Sequence, residues 1–243
     1  HCAAPPPRQS RALGAPAPAL VLADADRKLA ARGAAASTHR NSGQTSICAN
    51  RIMVQDTLYD EFVEELNQVV GTYQIGDGRD ESVPHGPLIS RQALEDIKEL
   101  VHDAIDNGAP VAAGGKFGEG DSHFVEPTTL CDVNDDMRIF KEEIFGPIAP
   151  IYQFSTEEEA IAMANDTEFG LAAYLFTENQ GRSWRVAEGI DYGMVGINET
   201  IIASAYMPFG GVKESGQGRE GSHQGVDEYL ETKYLCFGNL GKQ

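Results

Sequence analysis

From Pro18 onward, short apolar and β-branched runs alternate with longer stretches whose apolar positions recur every three or four residues. The run "PALVL" at 18–22 predicts a buried strand, and Asp24 or Asp26 is placed to cap the alanine-rich helix after it. "RIMVQ" at 51–55 predicts a second strand. Beyond it, Phe62, Val63, Leu66, Val69, Val70 and Tyr73 share one helical face, as do Leu94, Ile97, Leu100, Val101 and Ile105 further on. "APIYQF" (149–154), "LAAYLFT" (171–177) and "GMVGIN" (193–198) predict three more strands, with a helix around Trp184 to Glu188 before the last. Ser155 and Glu158 form a capping-box pattern ahead of "AIAMAN". Strands separated by helices of this length pair in parallel and carry helices on both faces. The expected class is α/β, with a three-layer parallel sheet.

Charge narrows the range of partners. Among 243 residues, 19 Lys and Arg stand against 37 Asp and Glu, a net charge of -18. That field repels phosphate backbones and anionic bilayers, so neither nucleic acid nor membrane is an expected partner. Cys2, Cys48, Cys131 and Cys236 show no CxxC pairing and no ligand-like spacing with His, so neither a metal site nor a disulfide framework is expected. Taken singly, each reads as a small buried apolar residue. Residues 1–16, rich in Ala and Pro, read as an irregular segment outside the fold.

The stretch "NSGQTSICANR" (41–51) raises the chemical question, because Ser46 and Cys48 lie two residues apart in a small-residue turn. A thiolate is a competent nucleophile near neutrality, whereas a serine hydroxyl needs an adjacent base. If 46–50 begins a helix, Cys48 points about 200° away from Ser46 and the two cannot serve one carbonyl.

Four segments in order, "NSGQTSICANR", "EEIFGP" (142–147), "NDTEFGLAAYLFT" (165–177) and "PFGGVKESGQGREG" (208–221), resemble the motifs of the aldehyde dehydrogenase superfamily. The "QTSICANR" pattern and the tail "GREGSHQGVDEYLETKYLCFG" are most similar to its succinate-semialdehyde dehydrogenase branch. The resemblance covers about Leu13 to Leu240. It implies a catalytic domain at 17–225 and a subunit-pairing strand within a 226–243 tail, with the N-terminal cofactor domain of the family missing. Members of the family are roughly twice this length.

The family's reaction uses a cysteine thiolate to attack an aldehyde, a nicotinamide to take the hydride, and a Glu-activated water to hydrolyse the thioester. By resemblance Ser46 occupies the nucleophile position, Cys in the family, and Ala12 the base position, Glu in the family. Cys48 matches a redox-switch partner. Arg40 matches the arginine that pairs with the succinic semialdehyde carboxylate, and Ala203, with Ser204 beside it, matches a serine on that carboxylate. Phe209 falls in a substrate-pocket turn. Glu143 and Phe145 match residues that position the nicotinamide ribose and ring, so NAD or NADP is the implied cofactor. The six histidines are scattered and receive no role.

These residues lead to an expectation of a domain related to NAD(P)-dependent oxidation of succinic semialdehyde or a similar semialdehyde, inactive as an isolated chain. Three readings stay open. The other half is supplied separately; or the chain is a non-catalytic structural or regulatory subunit; or it is a decayed fragment. The partners implied are a small aldehyde, a second copy, or a full-length paralogue. The implied setting is soluble and intracellular, in the cytoplasm or the mitochondrial matrix.

Overall fold

The computed structural model describes residues 16–239 and 241. In chain order its elements are β1 (Ala17–Val21), α1 (Arg27–His39), β2 (Ala49–Gln55), α2 (Tyr59–Val70), α3 (Arg91–Asp106), β3 (Val111–Ala113), β4 (Thr128–Leu130), α4 (Arg138–Lys141) and β5 (Ile148–Phe154). They continue with α5 (Glu157–Asn165), β6 (Phe169–Gly170), β7 (Ala172–Phe176), α6 (Gln180–Gly189), β8 (Met194–Ile197) and β9 (Val212–Lys213). Seven strands form one sheet in the order β3-β4-β5-β2-β1-β7-β8, and β6 pairs with β9 as a separate ribbon. Every neighbour in the large sheet is parallel except β3, which runs antiparallel to β4.

Strand alternation sends residues of one strand to two different cores. Leu20 and Leu22 join a cluster with Leu94, Ile97 and Val101 of α3 and Ala160 of α5. Ala19 and Val21 join the opposite cluster with Ala30 and Ala34 of α1 and Phe62 and Leu66 of α2. The result is helix, sheet, helix, the three-layer α/β arrangement expected from the pattern. Asp26 caps α1, its carboxylate accepting from the Leu29 N–H at 3.0 Å.

Local structure departs from expectation in several places. The capping residue of α5 is Thr156, which accepts from the Glu159 N–H, while the Glu159 carboxylate accepts from the Ser155 N–H. The box is therefore shifted by one residue, because β5 runs to Phe154 and Ser155 is still leaving the sheet. Tyr73 lies beyond α2 and packs from the loop after it. Residues 46–50 do not start a helix: Ser46 and Ile47 are in a turn and β2 begins at Ala49.

Among the described residues, the expected C-terminal strand at 229–238 is not paired to any strand. A strand needs a neighbour for its N–H and C=O groups. Here Leu230, Tyr234, Leu235 and Phe237 remain exposed, so no surface of the described residues covers the segment.

One interior residue is unexpected. Arg51 on β2 is fully buried, and its guanidinium donates to the carbonyls of Met163 and Ala164 at 3.2 and 3.0 Å and to the Tyr192 hydroxyl at 2.9 Å. Those carbonyls end α5, where the helix dipole is negative, and the Phe140 ring lies 5.3 Å from the guanidinium carbon. No carboxylate is needed to hold the cation. The sheet is thereby pinned to α5 close to the turn that precedes β2.

Candidate functional site

Helix α1 ends at His39, and the chain then makes an unusual turn. Asn41, Ser42 and Gly43 all have positive φ, at 51°, 55° and 76°. A run of left-handed residues is costly for L-amino acids, especially at a serine, and persists only where neighbours hold it. Two contacts hold it here. The Ser42 hydroxyl donates to the Gly86 carbonyl at 3.0 Å, and Gly43 lies against the backbone of Gly146 and Pro147. A Cβ at Gly43 would overlap the Gly146 carbonyl, so only glycine permits this approach. Through that contact the turn at 41–48 abuts the "EEIFGP" segment.

The next residues are clamped by side-chain hydroxyls. Cys48 N–H donates to the Thr45 carbonyl at 2.9 Å, closing a tight turn around Ser46 and Ile47. Tyr174 of β7 donates its hydroxyl to the Ile47 carbonyl at 2.5 Å. Ser37 accepts from the Ala49 N–H at 3.0 Å, and Thr38 donates to the Ala49 carbonyl at 2.6 Å. The Ile47 side chain packs with Leu171 and Ala172, with Phe209 against the same cluster. Phe209 is fixed in turn by paired backbone hydrogen bonds to Glu220.

Beneath this turn, on the α1 side of the sheet, lies a cavity of 340 Å³ lined by Ser37, Arg40, Ile47, Cys48, Tyr174 and Thr200, among others. Its size falls within the range of small-molecule sites. Arg40 and Cys48 therefore share one space, while Ser46 is half-buried and does not line it. The Cys48 thiol donates to the Arg40 carbonyl at an S···O distance of 3.5 Å. Burial pushes this thiol up from its ordinary value; hydrogen bonds with Thr45 and the Arg40 charge oppose that rise, and the Glu143 carboxylate adds to it. A raised thiol pKa leaves Cys48 protonated at neutral pH.

The remaining sequence-predicted residues are placed unevenly. Glu143 is half-buried and within electrostatic reach of Cys48. Phe145 has φ of 52° and is 43% exposed, its ring open to solvent. An exposed aromatic ring two residues from a carboxylate fits one edge of a nicotinamide-ribose unit. Ala203 and Ser204 are exposed and do not line the cavity; Thr200 and Ile201 do so instead. Ala12 lies outside the described residues. Tyr174 and Thr200 received no role from sequence, although Tyr174 stands inside the "LAAYLFT" motif. Among the described residues no group of three or more His, Cys, Asp or Glu is arranged to hold a metal, and no helix is long and apolar enough to cross a membrane.

The parallel sheet and its layers are those of an α/β oxidoreductase fold. The chain belongs to the aldehyde dehydrogenase family, whose family model matches residues 2–235. It is 50% identical over 228 residues to the mitochondrial succinate-semialdehyde dehydrogenase of Oryza sativa, covering 94% of this chain and 43% of that protein. It is 49% identical over 238 residues to the NADP+ succinate-semialdehyde dehydrogenase of Escherichia coli, covering 98% and 49%. The solved succinate-semialdehyde dehydrogenase of Burkholderia pseudomallei superposes with a TM-score of 0.92 at 48% identity, covering 95% of this chain and 48% of that one. The chain spans about half the length of the curated relatives it matches.

Proposed function

We propose that this chain is the catalytic-domain portion of an NAD(P)-linked semialdehyde dehydrogenase that retains carboxylate recognition and has lost the nucleophile. The observation that carries this reading is the cavity where Arg40 lies beside Cys48, next to a turn whose nucleophile position holds Ser46. Arg40 takes the carboxylate of a short semialdehyde through its planar fork. The Thr45–Cys48 turn, clamped by Tyr174, sets where the side chain of residue 46 stands. A serine there, with Ala12 in place of the family's base Glu, lacks the group that would remove its proton in the family, so on this reading the isolated chain does not oxidise the aldehyde. Glu143 and Phe145 would hold the nicotinamide ribose and ring; the cofactor, when bound, supplies the hydride acceptor.

The test is NAD(P)H formation from succinic semialdehyde by the chain joined to a family cofactor domain. With Ser46→Cys and Ala12→Glu together, turnover is expected to rise at least about a thousandfold over the unmodified fusion. Equal turnover by the unmodified fusion would overturn the reading, as would a restored pair with none.

A second reading, a non-catalytic subunit, is favoured by the exposed Tyr234, Leu235 and Phe237, which a second copy or a full-length paralogue would cover. Sedimentation of the chain, alone and mixed with such a paralogue, tests it. A strict monomer in both cases removes this reading.

A further inference from the structure

Just behind Arg40 lies a cluster with no part in the site so far described. His39, the last residue of α1, is 1% exposed, and His85, in the loop between α2 and α3, is 6% exposed. Tyr73 packs against both: ring centroids are 5.4 Å apart for His39 and Tyr73, 4.6 Å for Tyr73 and His85, and 6.2 Å for the two histidines. The His39 Nδ1 is 3.0 Å from the Ala35 carbonyl, which can only accept, so Nδ1 carries the proton of the neutral ring. Its Nε2 is buried with no hydrogen-bond partner, and so are both ring nitrogens of His85.

We propose that His39 and His85 are a positioning pair that holds Arg40 and the left-handed turn in place only while both rings are neutral, giving the site a built-in acid limit. Use of the limit in carboxylate binding rests on the role proposed for Arg40; the device itself does not.

Two sets of contacts support this. The first concerns charge. A 200 Å³ cavity beside the pair is lined by His39 and Arg40 from the end of α1 and the turn after it, by Tyr73 from the loop after α2, and by His85 from the 84–86 segment. No acidic residue lines it. A proton added to either ring therefore meets another imidazole and a guanidinium, with no carboxylate lining the cavity to offset the charge.

The second concerns transmission. The segment carrying His85 straps the turn: Ser42 donates to the Gly86 carbonyl at 3.0 Å, and the Ile89 N–H donates to the Gln44 side-chain oxygen at 2.9 Å. Its other side is tied by the Gly76 N–H to the His85 carbonyl at 3.0 Å. Release of His85 unfastens Ser42, and the left-handed run next to Arg40 loses the contact that holds it.

The direction with pH follows from the burial. Desolvation lowers His39 from its ordinary value to about 4, the Ala35 carbonyl opposing and His85 assisting. Desolvation also lowers His85, offset in part by the His39 backbone. Because the folded values are depressed, the opened state binds more protons as pH falls below the ordinary value near 6.5. The closed strap is thus fully favoured above that value and is lost as pH falls toward 4.

The experiment is backbone amide exchange of this chain by mass spectrometry between pH 7.5 and 5, corrected for intrinsic rates, with NMR titration of the histidine rings. Protection at 40–46 and 84–89 is expected to fall at least tenfold by pH 5 while 49–55 stays protected. The double variant His39→Phe with His85→Leu should remove that fall, and in the unsubstituted chain two ring signals should titrate below the ordinary value, one of them near 4. An equal fall in the double variant overturns the proposal, as does titration of every ring near 6.5. If the double variant does not fold, the ring titration of the unsubstituted chain decides alone. Succinate binding at pH 7.5 is measured separately: its absence with an acid-sensitive strap removes the Arg40 role and leaves the device standing.

Discussion

Arg40 and Arg51 stand at the two ends of one short segment, and the protein uses them in opposite ways. Arg51 is buried completely, and its two terminal guanidinium nitrogens donate to carbonyls and a hydroxyl, while its Nε is left without a partner. Arg40 is exposed and lines two cavities. An arginine is almost never fully buried without partners, so the inner one marks scaffold. The outer one, kept open on a chain of net charge -18, is the group proposed above to take an anion. The turn between them takes its geometry from the inner arginine's strand and presents its chemistry beside the outer one.

That contrast can be broken at its strong end first. Arg51→Met should destabilise the chain by roughly 3 kcal/mol, since it removes charge-assisted hydrogen bonds and leaves the Met163 and Ala164 carbonyls buried. Urea denaturation followed by circular dichroism measures it; a loss below about 1 kcal/mol would make the burial incidental. Tyr174→Phe should cost about 1.5 kcal/mol by leaving the Ile47 carbonyl without its donor. The same variant should raise amide exchange at 45–48, which sharpens the link from scaffold to turn. Thr156→Ala should cost about 1 kcal/mol by uncapping α5, and Ser155→Ala much less, in the same denaturation assay. Arg40→Ala should shift stability by less than about 0.5 kcal/mol. It should nonetheless abolish succinate binding measured by calorimetry. Equal effects of the Arg40 and Arg51 variants on stability would dissolve the distinction.

Much of the scaffold was legible because its elements are long enough to show a period. Phe62 and Leu66, or Leu94, Ile97 and Val101, announce which way their helices face. β3 and β4, three residues each, and the two-residue β6 and β9 are too short to carry a pattern. The site was legible only as motif letters. Arg51 sat in the recognised stretch, yet its partners are backbone carbonyls far away in sequence, which no side-chain pattern reveals. Ser46 and Cys48 stand on no helix: the chain enters β2 through a turn, and the thiol rather than the hydroxyl faces the Arg40 cavity. His39 and His85 meet only because the 84–86 loop folds back on the end of α1. The one local cue was an imidazole at the end of α1's alanine-rich buried face.

The backbone contact of Gly43 with Gly146 and Pro147 has a consequence for inheritance. The spacing between the 41–48 turn and the proposed cofactor wall is set by main chain against main chain. It therefore does not depend on which side chain stands at 46, and Ser46 itself needs no left-handed backbone. Exchange of sulfur for oxygen there changes one atom on an unchanged mould. On the reading proposed above, loss of chemistry at that position is a small heritable step, and at residue 46 itself so is its return.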